Sequence, residues 1–336
     1  MKALLCEEPG RLSVIERPLP TRGGGEVLIR IRHIGVCGTD FHIYAGRQPF
    51  LSYPRVMGHE LSGIVEEAPP GSNFAPGDAV YIVPYLSCGH CQACQRGLTN
   101  ACMNIQVLGV HRDGGMTEYL SVPSANLHKI GNISLQDAAM IEFLAIGAHG
   151  IKRGNIKPED RVLVTGTGPI GLAAIIFAKA RGAHVTALDM RADRLKFACD
   201  ILGADEALLA GADSKERIQD LTQDNGFDVV IDATGAVASM EQGFDFLAHG
   251  GRYVFLSVIR QNITFSDPEF HKREATLIAS RNAQPDDFAE VVRQMEAGNV
   301  PTRALNTHNG PLVEGPNLFL AWARPDAGVI KAIFNV

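Results

Sequence analysis

Aromatic residues and positive charge are both in short supply in this chain, and each shortage excludes a class of function. Only 7% of the residues are aromatic, with a single Trp, and the formal net charge is −6. Nucleic acid binding needs a basic surface, often with aromatic stacking platforms, so no nucleic acid partner is expected. No apolar run approaches the roughly 20 residues of a membrane span, and Met1 to Pro9 lacks a secretory signal pattern. We therefore expect a cytoplasmic protein without a membrane partner.

Disulfides are not expected either, because the chain has an odd number of cysteines (seven) and no export signal is seen. Four thiolates with metal-ligand spacing predict a closed, tetrahedral and therefore structural zinc site. An iron–sulfur cluster is the alternative, but it favours a three-residue last gap followed by Pro, whereas Met103 follows a longer gap here. The cysteines with this spacing are Cys88, Cys91, Cys94 and Cys102.

A glycine-rich turn near the middle of the chain predicts a dinucleotide site. A buried parallel strand, Val162 to Thr165, leads into the turn, a helix follows, and the next strand ends at Asp189. In this pattern the first glycine makes a tight turn, the second lets the backbone approach a pyrophosphate, and the third packs the helix on the sheet. The terminal carboxylate can hold the adenosine ribose. The turn reads Gly166-Thr-Gly168-Pro169-Ile170-Gly171.

A length of 336 residues favours two domains. Residues 1–145 alternate short apolar runs with Gly- and Pro-rich turns, which predicts a small antiparallel β-barrel. Residues 146–280 alternate strands with helices, which predicts an α/β fold with a doubly wound parallel sheet. We expect residues 281–336 to return to the first domain. The predicted elements include strands Ala3 to Cys6, Glu26 to Ile34, Gly63 to Glu67, Ala79 to Val83, His184 to Leu188, Glu206 to Leu209, Val229 to Ala233, Arg252 to Ser257 and Ala275 to Ser280, and a helix from Ser239 to Leu247.

Three further segments carry metal-ligating residues but lie far apart in the sequence. Cys37, His59 and Glu142 each have an ordinary structural explanation, as a core thiol, a hydrogen-bonded core histidine and a helix-surface charge. No spacing rule joins the three. The residues alone therefore only suggest a second metal site.

The order of these motifs is similar to that of the zinc-dependent medium-chain dehydrogenases. Within that family the chain most resembles the polyol, threonine and sugar-acid branch, in which the third catalytic ligand is Glu. The resemblance implies a GroES-like catalytic domain and a Rossmann domain, an active site in the cleft between them, and homodimers or homotetramers. The motifs that carry it are Cys37-Gly-Thr-Asp, Gly58-His-Glu, the cysteine loop, Asp113-Gly-Gly-Met-Thr-Glu-Tyr119, the glycine motif and Asp189.

The same resemblance implies a catalytic zinc ion in addition to the structural one. Cys37, His59 and Glu142 match its ligands. Glu60 matches an acid that lies beside the metal and enters its shell in some states. Relatives commonly have Pro directly after the ligand Glu, whereas Phe143 stands here, and proline would fix that backbone.

Substrate and cofactor contacts are implied in the same way. Thr39 matches the hydroxyl that contacts the substrate oxygen, and His42 ends a proton relay. Asp189 and Arg194 match the residues on the adenosine ribose. A carboxylate 4 Å from a 2′-phosphate repels it by roughly 4 kcal/mol at an effective dielectric of about 20, which favours NAD over NADP. Arg191 and Arg194 keep NADP open, since arginine can accept that phosphate.

The substrate is predicted from two segments in the second half of the chain. Residues 265–274 and 280–283 resemble bacterial sugar-acid dehydrogenases of the galactonate type. Arg281 matches a residue of the substrate cleft, although a solvated surface arginine is the alternative, and His111 is a second pocket candidate. We expect oxidation of a secondary hydroxyl of a sugar acid or polyol. Oxidation of threonine or simple alcohols, and an inactive zinc- and nucleotide-binding protein, are the alternatives.

Overall fold

The computed structural model describes residues 1–48 and 51–336, which divide into two units. The first comprises Met1–Glu142, Val292–Gly298 and Thr302–Val336, and the second comprises Phe143–Val291 and Asn299–Pro301. The first two of the four breaks follow residues 142 and 291, where the sequence predicts boundaries at 145 and 280, and both lie inside helices. Because each of these helices continues across the division between the units, the hydrophobic pattern of the sequence does not change at that point.

The first unit opens with strands, which form where apolar and β-branched runs are interrupted by Gly and Pro. Short helices and turns connect them. In chain order these elements are β1 (Lys2–Glu8), β2 (Arg11–Glu16), β3 (Glu26–Val36), α1 (Gly38–Tyr44), β4 (Arg55–Val56), β5 (Glu60–Glu67), β6 (Ala79–Ile82), β7 (Tyr85–Leu86), α2 (Gln92–Gln95), β8 (Gln106–Val107), β9 (Tyr119–Pro123), β10 (Leu127–Lys129) and α3 (Leu135–Ala138).

The middle of the chain confirms the predicted parallel sheet. Six strands lie in the order β13-β12-β11-β14-β15-β16, and every neighbouring pair is parallel. The elements here are α4 (Ile141–Arg153), β11 (Arg161–Thr165), α5 (Pro169–Ala180), β12 (His184–Asp189), α6 (Ala192–Asp200), β13 (Glu206–Leu209), α7 (Ser214–Thr222), β14 (Phe227–Asp232), α8 (Val237–Gln242), β15 (Leu247–Phe255), α9 (Asp267–Lys272), β16 (Thr276–Ala279) and α10 (Pro285–Glu296).

The helix predicted from Ser239 to Leu247 is wrong over its second half. Helix α8 ends at Gln242, a 3₁₀ turn follows over Gly243–Phe246, and β15 begins directly afterwards. The hydroxyl of Tyr253 donates to the carbonyl of Met240 at 3.0 Å. That carbonyl is the one with which a continuing α-helix would pair residue 244. The Tyr253 hydroxyl therefore occupies one acceptor position of this carbonyl at the point where the helix ends.

The end of the chain adds to the sheet of the first unit. Its elements are α11 (Thr302–Leu305), β17 (Asn306–Pro311), α12 (Gly315–Trp322) and β18 (Lys331–Asn335). Strand β18 lies between β3 and β17 in the order β10-β6-β5-β3-β18-β17, and β9 also pairs with β3. Smaller sheets are formed by β2-β1-β4 and β7-β8. Among the described residues, no helix has both the length and the apolarity to cross a membrane.

Candidate metal and nucleotide sites

Strand pairing in the first unit brings together three residues that are separated in sequence. Cys37 follows β3 and caps α1, whereas His59 and Glu60 lie at the start of β5. Strands β3 and β5 are antiparallel, with Gly35 opposite Glu60. One ligand atom each from Cys37, His59 and Glu60 lies within 4.8 Å of the others. The sheet thus assembles a sulfur, a nitrogen and an oxygen donor at one point.

The charges around this cluster suit a cation. Burial lowers the pKa of His59, but the negative charges of Cys37 and Asp40 outweigh it and raise that pKa well above its usual range. His59 Nδ1 and Asp40 Oδ1 are 3.9 Å apart, and both are buried without a hydrogen-bond partner in the described part of the chain. Zinc accepts this donor set of thiolate, imidazole and carboxylate. The residues therefore fit the expected metal.

Glu60 is bound by a lysine that the sequence did not single out. Lys331 Nζ donates to both Glu60 carboxylate oxygens at 2.7 Å and to the Val36 carbonyl at 3.2 Å. The pairing follows from the placement of β18 beside β3. One signal was available, since Lys331 is a lone charge in the apolar run Val329-Ile-Lys-Ala-Ile-Phe. Buried lysine is rare unless it is paired.

Glu142 lies in the same electrostatic environment but outside that close cluster. It is buried at the start of α4, and the Tyr85 hydroxyl donates to its Oε1. Burial raises its pKa, and the charge of His59 opposes that rise. Phe143 is fully buried as the third residue of α4, so the helix itself fixes the backbone at this position.

Helix α1 carries the two residues expected to handle the substrate proton. Thr39 is half-buried in the first turn, and His42 is exposed in the last turn. Partial burial and the charge of Arg47 lower the pKa of His42. A depressed pKa keeps the imidazole neutral and able to accept a proton near neutral pH.

The four cysteines of the loop come together as the spacing predicts. Their sulfur atoms all lie within 4.8 Å of one another. The backbone N–H groups of His90 and Cys91 donate to Cys88 Sγ and lower the pKa of Cys88 to about 6, which favours the thiolate. His90 is exposed, and its Nδ1 lies 2.8 Å from the Cys88 carbonyl oxygen. The loop therefore has the geometry of a Cys₄ zinc site, with His90 outside the ligand set.

The glycine motif of the second unit has the backbone geometry that a pyrophosphate requires. Gly166 has a φ of +86°, in the left-handed region. A Cβ at Gly168 would meet no atom within 4 Å, so the space in front of this backbone is open. A Cβ at Gly171 would lie 1.8 Å from the Gly166 carbonyl oxygen. Pro169 and Ile170 open α5, whose N-terminus attracts an anion.

Asp189 is held in place at the end of β12. The backbone N–H and the hydroxyl of Thr167 donate to its Oδ2 at 2.6 and 2.8 Å, and the Arg191 N–H donates to its Oδ1 at 2.9 Å. Oδ2 thus accepts two hydrogen bonds and Oδ1 accepts one, so one lone pair of Oδ1 remains for a ribose hydroxyl. Arg194 is buried, and burial together with the Arg191 charge lowers its pKa.

Asp232 is a second carboxylate at this edge of the sheet, and the sequence analysis missed it. It is fully buried at the end of β14 and accepts hydrogen bonds from the hydroxyls of Thr165 and Thr234 at 3.1 and 2.8 Å. Thr234 Cγ2 would meet a Cβ on Gly166 at 2.9 Å. Asp232 therefore fixes the loop that packs against the glycine turn. Its sequence signal was its place at the end of a buried strand.

The two substrate candidates lie in different parts of the chain. Arg281 is exposed and follows β16 by two residues. His111 accepts a hydrogen bond from the Val107 N–H on its Nδ1 at 3.1 Å. That contact closes a tight turn, which is a structural role for the ring.

Two family models together match most of the chain. The alcohol dehydrogenase GroES-like domain matches residues 23–132, and the zinc-binding dehydrogenase domain matches residues 169–297. These matches confirm the predicted pairing of a GroES-like domain with a Rossmann-type domain.

Individual relatives span the whole chain. It is 43% identical over 317 residues to an L-galactonate-5-dehydrogenase of Escherichia coli K12, covering 93% of this chain and 92% of that one. The structure of RspB from Escherichia coli CFT073, complexed with NADH, aligns with a TM-score of 0.94 at 30% identity over 100% of this chain and 99% of that one. A zinc-binding dehydrogenase from Sinorhizobium meliloti 1021, bound to NADP, aligns with a TM-score of 0.91 at 28% identity over 100% and 99%.

Proposed function

Because the chain belongs to the zinc-dependent medium-chain alcohol dehydrogenases, we propose that it oxidises a secondary hydroxyl of a sugar acid or polyol to a ketone with NAD⁺. The observation that carries this proposal is the meeting of Cys37, His59 and Glu60 donor atoms within 4.8 Å. The galactonate dehydrogenase named above supports a sugar acid as the substrate class. The reaction moves a hydride from the carbinol carbon to the nicotinamide and releases the hydroxyl proton.

Two zinc ions per subunit are part of the proposal, one in each cluster of ligand atoms. Cys88, Cys91, Cys94 and Cys102 would hold the structural ion. Cys37, His59 and a carboxylate from Glu142 or Glu60 would hold the catalytic ion. A zinc ion with an open coordination position acts as a Lewis acid and lowers the pKa of a bound hydroxyl group.

The chain's own residues would then manage the proton and the substrate. The side-chain oxygen of Thr39 would accept the proton of the substrate hydroxyl, and the Thr39 hydroxyl would pass its own proton onward. His42, exposed and with a lowered pKa, would receive the proton and release it to solvent. Arg281 suits an aldonate carboxylate, because its guanidinium can bind both carboxylate oxygens at once. His111 is a weaker substrate contact, since its Nδ1 already serves the turn.

We propose NAD rather than NADP as the cofactor, on the grounds of Asp189. Its carboxylate is fixed by Thr167 and Arg191, so it cannot easily turn away from a 2′-phosphate. Gly166, Gly168 and Gly171 would carry the pyrophosphate. Solved relatives hold either NADH or NADP, so the carboxylate is the deciding feature. A homodimer or homotetramer is the expected assembly.

A single set of assays tests the proposal. Zinc per subunit is measured, and reduced cofactor formation is followed with hexonates, polyols, threonine and simple alcohols, each with NAD⁺ and NADP⁺. Two zinc ions with turnover of a hexonate or polyol on NAD⁺ support it. Turnover of threonine alone would make a β-hydroxy amino acid the substrate. NAD binding without turnover of any substrate would favour the inactive zinc- and nucleotide-binding protein.

A further inference from the structure

The hydroxyl of Tyr85 lies against the carboxylate proposed as a zinc ligand. It donates to Glu142 Oε1, and both residues are buried. A phenol carries its proton at neutral pH and so acts as a hydrogen-bond donor toward a carboxylate.

The backbone around Tyr85 is fixed from two sides. Strand β7 pairs with β8 at the base of the cysteine loop, with Tyr85 opposite Val107. Asn126 Nδ2 donates to the carbonyls of Val83 and Tyr85 at 2.8 and 3.1 Å. The phenol is thus presented on a rigid support, which is the condition for a residue that orients another.

The two carboxylates of the site are held in contrasting ways. Lys331 binds both oxygens of Glu60 with a full charge at 2.7 Å. Tyr85 binds only Oε1 of Glu142 and is neutral. A neutral donor on Oε1 leaves Oε2 to face a cation. Partners of this kind orient metal ligands and raise their effectiveness in metalloproteins.

We propose that Tyr85 is a positioning residue that orients the Glu142 carboxylate toward a metal ion held at Cys37 and His59. This inference rests on the proposed function, because it needs a metal ion at Cys37 and His59. Without the Tyr85 hydroxyl, the Glu142 carboxylate would lose its fixed orientation, and the site would bind the metal ion more weakly.

The test is a double-mutant cycle on metal affinity, with Tyr85→Phe, Glu142→Gln and both together. The zinc dissociation constant is measured by competition with a chromophoric chelator. The zinc ion that is lost in Cys37→Ser identifies the one bound at this site. We expect Tyr85→Phe to raise that constant about 10- to 100-fold in the native background and to leave it unchanged in Glu142→Gln. Visible spectra of the cobalt-substituted protein should shift in Tyr85→Phe.

A matched control is Tyr253→Phe, which also removes a buried hydroxyl but one that donates to the Met240 carbonyl. It should leave the zinc constant and the cobalt spectrum unchanged. An unchanged constant in Tyr85→Phe, or an equal weakening with and without Glu142, overturns the inference and leaves the proposed function intact. If Cys37→Ser removes no zinc from the native protein, the proposed site and this inference both fail.

Discussion

Lys331 Nζ lies 2.7 Å from each carboxylate oxygen of Glu60, and neither side chain is more than 1% exposed. Such a pair is expensive to desolvate, and its net contribution depends on good geometry and further hydrogen bonds. The Val36 carbonyl supplies one of these at 3.2 Å. The ammonium would also compete with any cation for the Glu60 carboxylate.

Replacing Lys331 by Met should destabilise the protein strongly, because it leaves the Glu60 charge buried and unpaired. We expect a loss of about 3–5 kcal/mol in the free energy of unfolding, measured by urea denaturation of the full chain. The matched control is Lys196→Met, which breaks the solvent-exposed pair with Asp200 and should cause no measurable change. A loss no larger than that of the control would contradict this account of the pair.

The two groups of cysteines should respond differently to substitution. Cys91→Ser should lose the loop zinc and lower the thermal midpoint, because binding to a structural site contributes directly to folding. Cys37→Ser should lose the other zinc and abolish turnover, while NAD binding and the midpoint stay near those of the native protein. Cys199→Ser, outside both clusters, serves as the control. Normal turnover and full zinc content in Cys37→Ser would show that the catalytic site lies elsewhere.

The parts of the site that could be predicted from sequence are those whose residues are near neighbours along the chain. The cysteine loop spans 88–102, and the glycine turn needs only six residues to specify its conformation. Cys37, His59 and Glu60 come together through β3 and β5. The family resemblance had implied Cys37, His59 and Glu142 as metal ligands, with Glu60 beside them. The spacing of these residues along the chain did not by itself predict that they meet.

The contacts that sequence analysis missed are those made by distant strands. Lys331 and Glu60 are 271 positions apart, and Tyr85 and Glu142 are 57 apart. No local sequence pattern indicates which strand pairs with β3 or which hydroxyl donates to a residue at the start of a helix. Burial of a lone charge in an apolar strand was the single hint for Lys331.

Two glycines of the nucleotide turn should separate folding from cofactor binding. Gly171→Ala would place a Cβ 1.8 Å from the Gly166 carbonyl oxygen, so we expect a loss of about 1–3 kcal/mol or more in stability. Gly168→Ala has open space around its Cβ, so stability should hardly change while NAD affinity falls. Urea unfolding and NAD titration measure the two effects. Equal stability losses in both variants would argue against this division of roles.

A buried pair in the second unit should make stability depend on pH in acid. Burial raises the pKa of Asp287, but hydrogen bonds from His149 and the Gln284 N–H, with the charges of His149 and Lys152, outweigh it and lower that pKa. The unfolded carboxyl titrates near pH 4, above the folded one. Stability from this group is therefore full above about pH 4 and is lost as the pH falls through the folded pKa, with a slope of up to about 1.4 kcal/mol per pH unit. Asp287→Asn should remove that slope in urea unfolding curves recorded from neutral pH into acid, and identical slopes in both proteins would contradict the assignment.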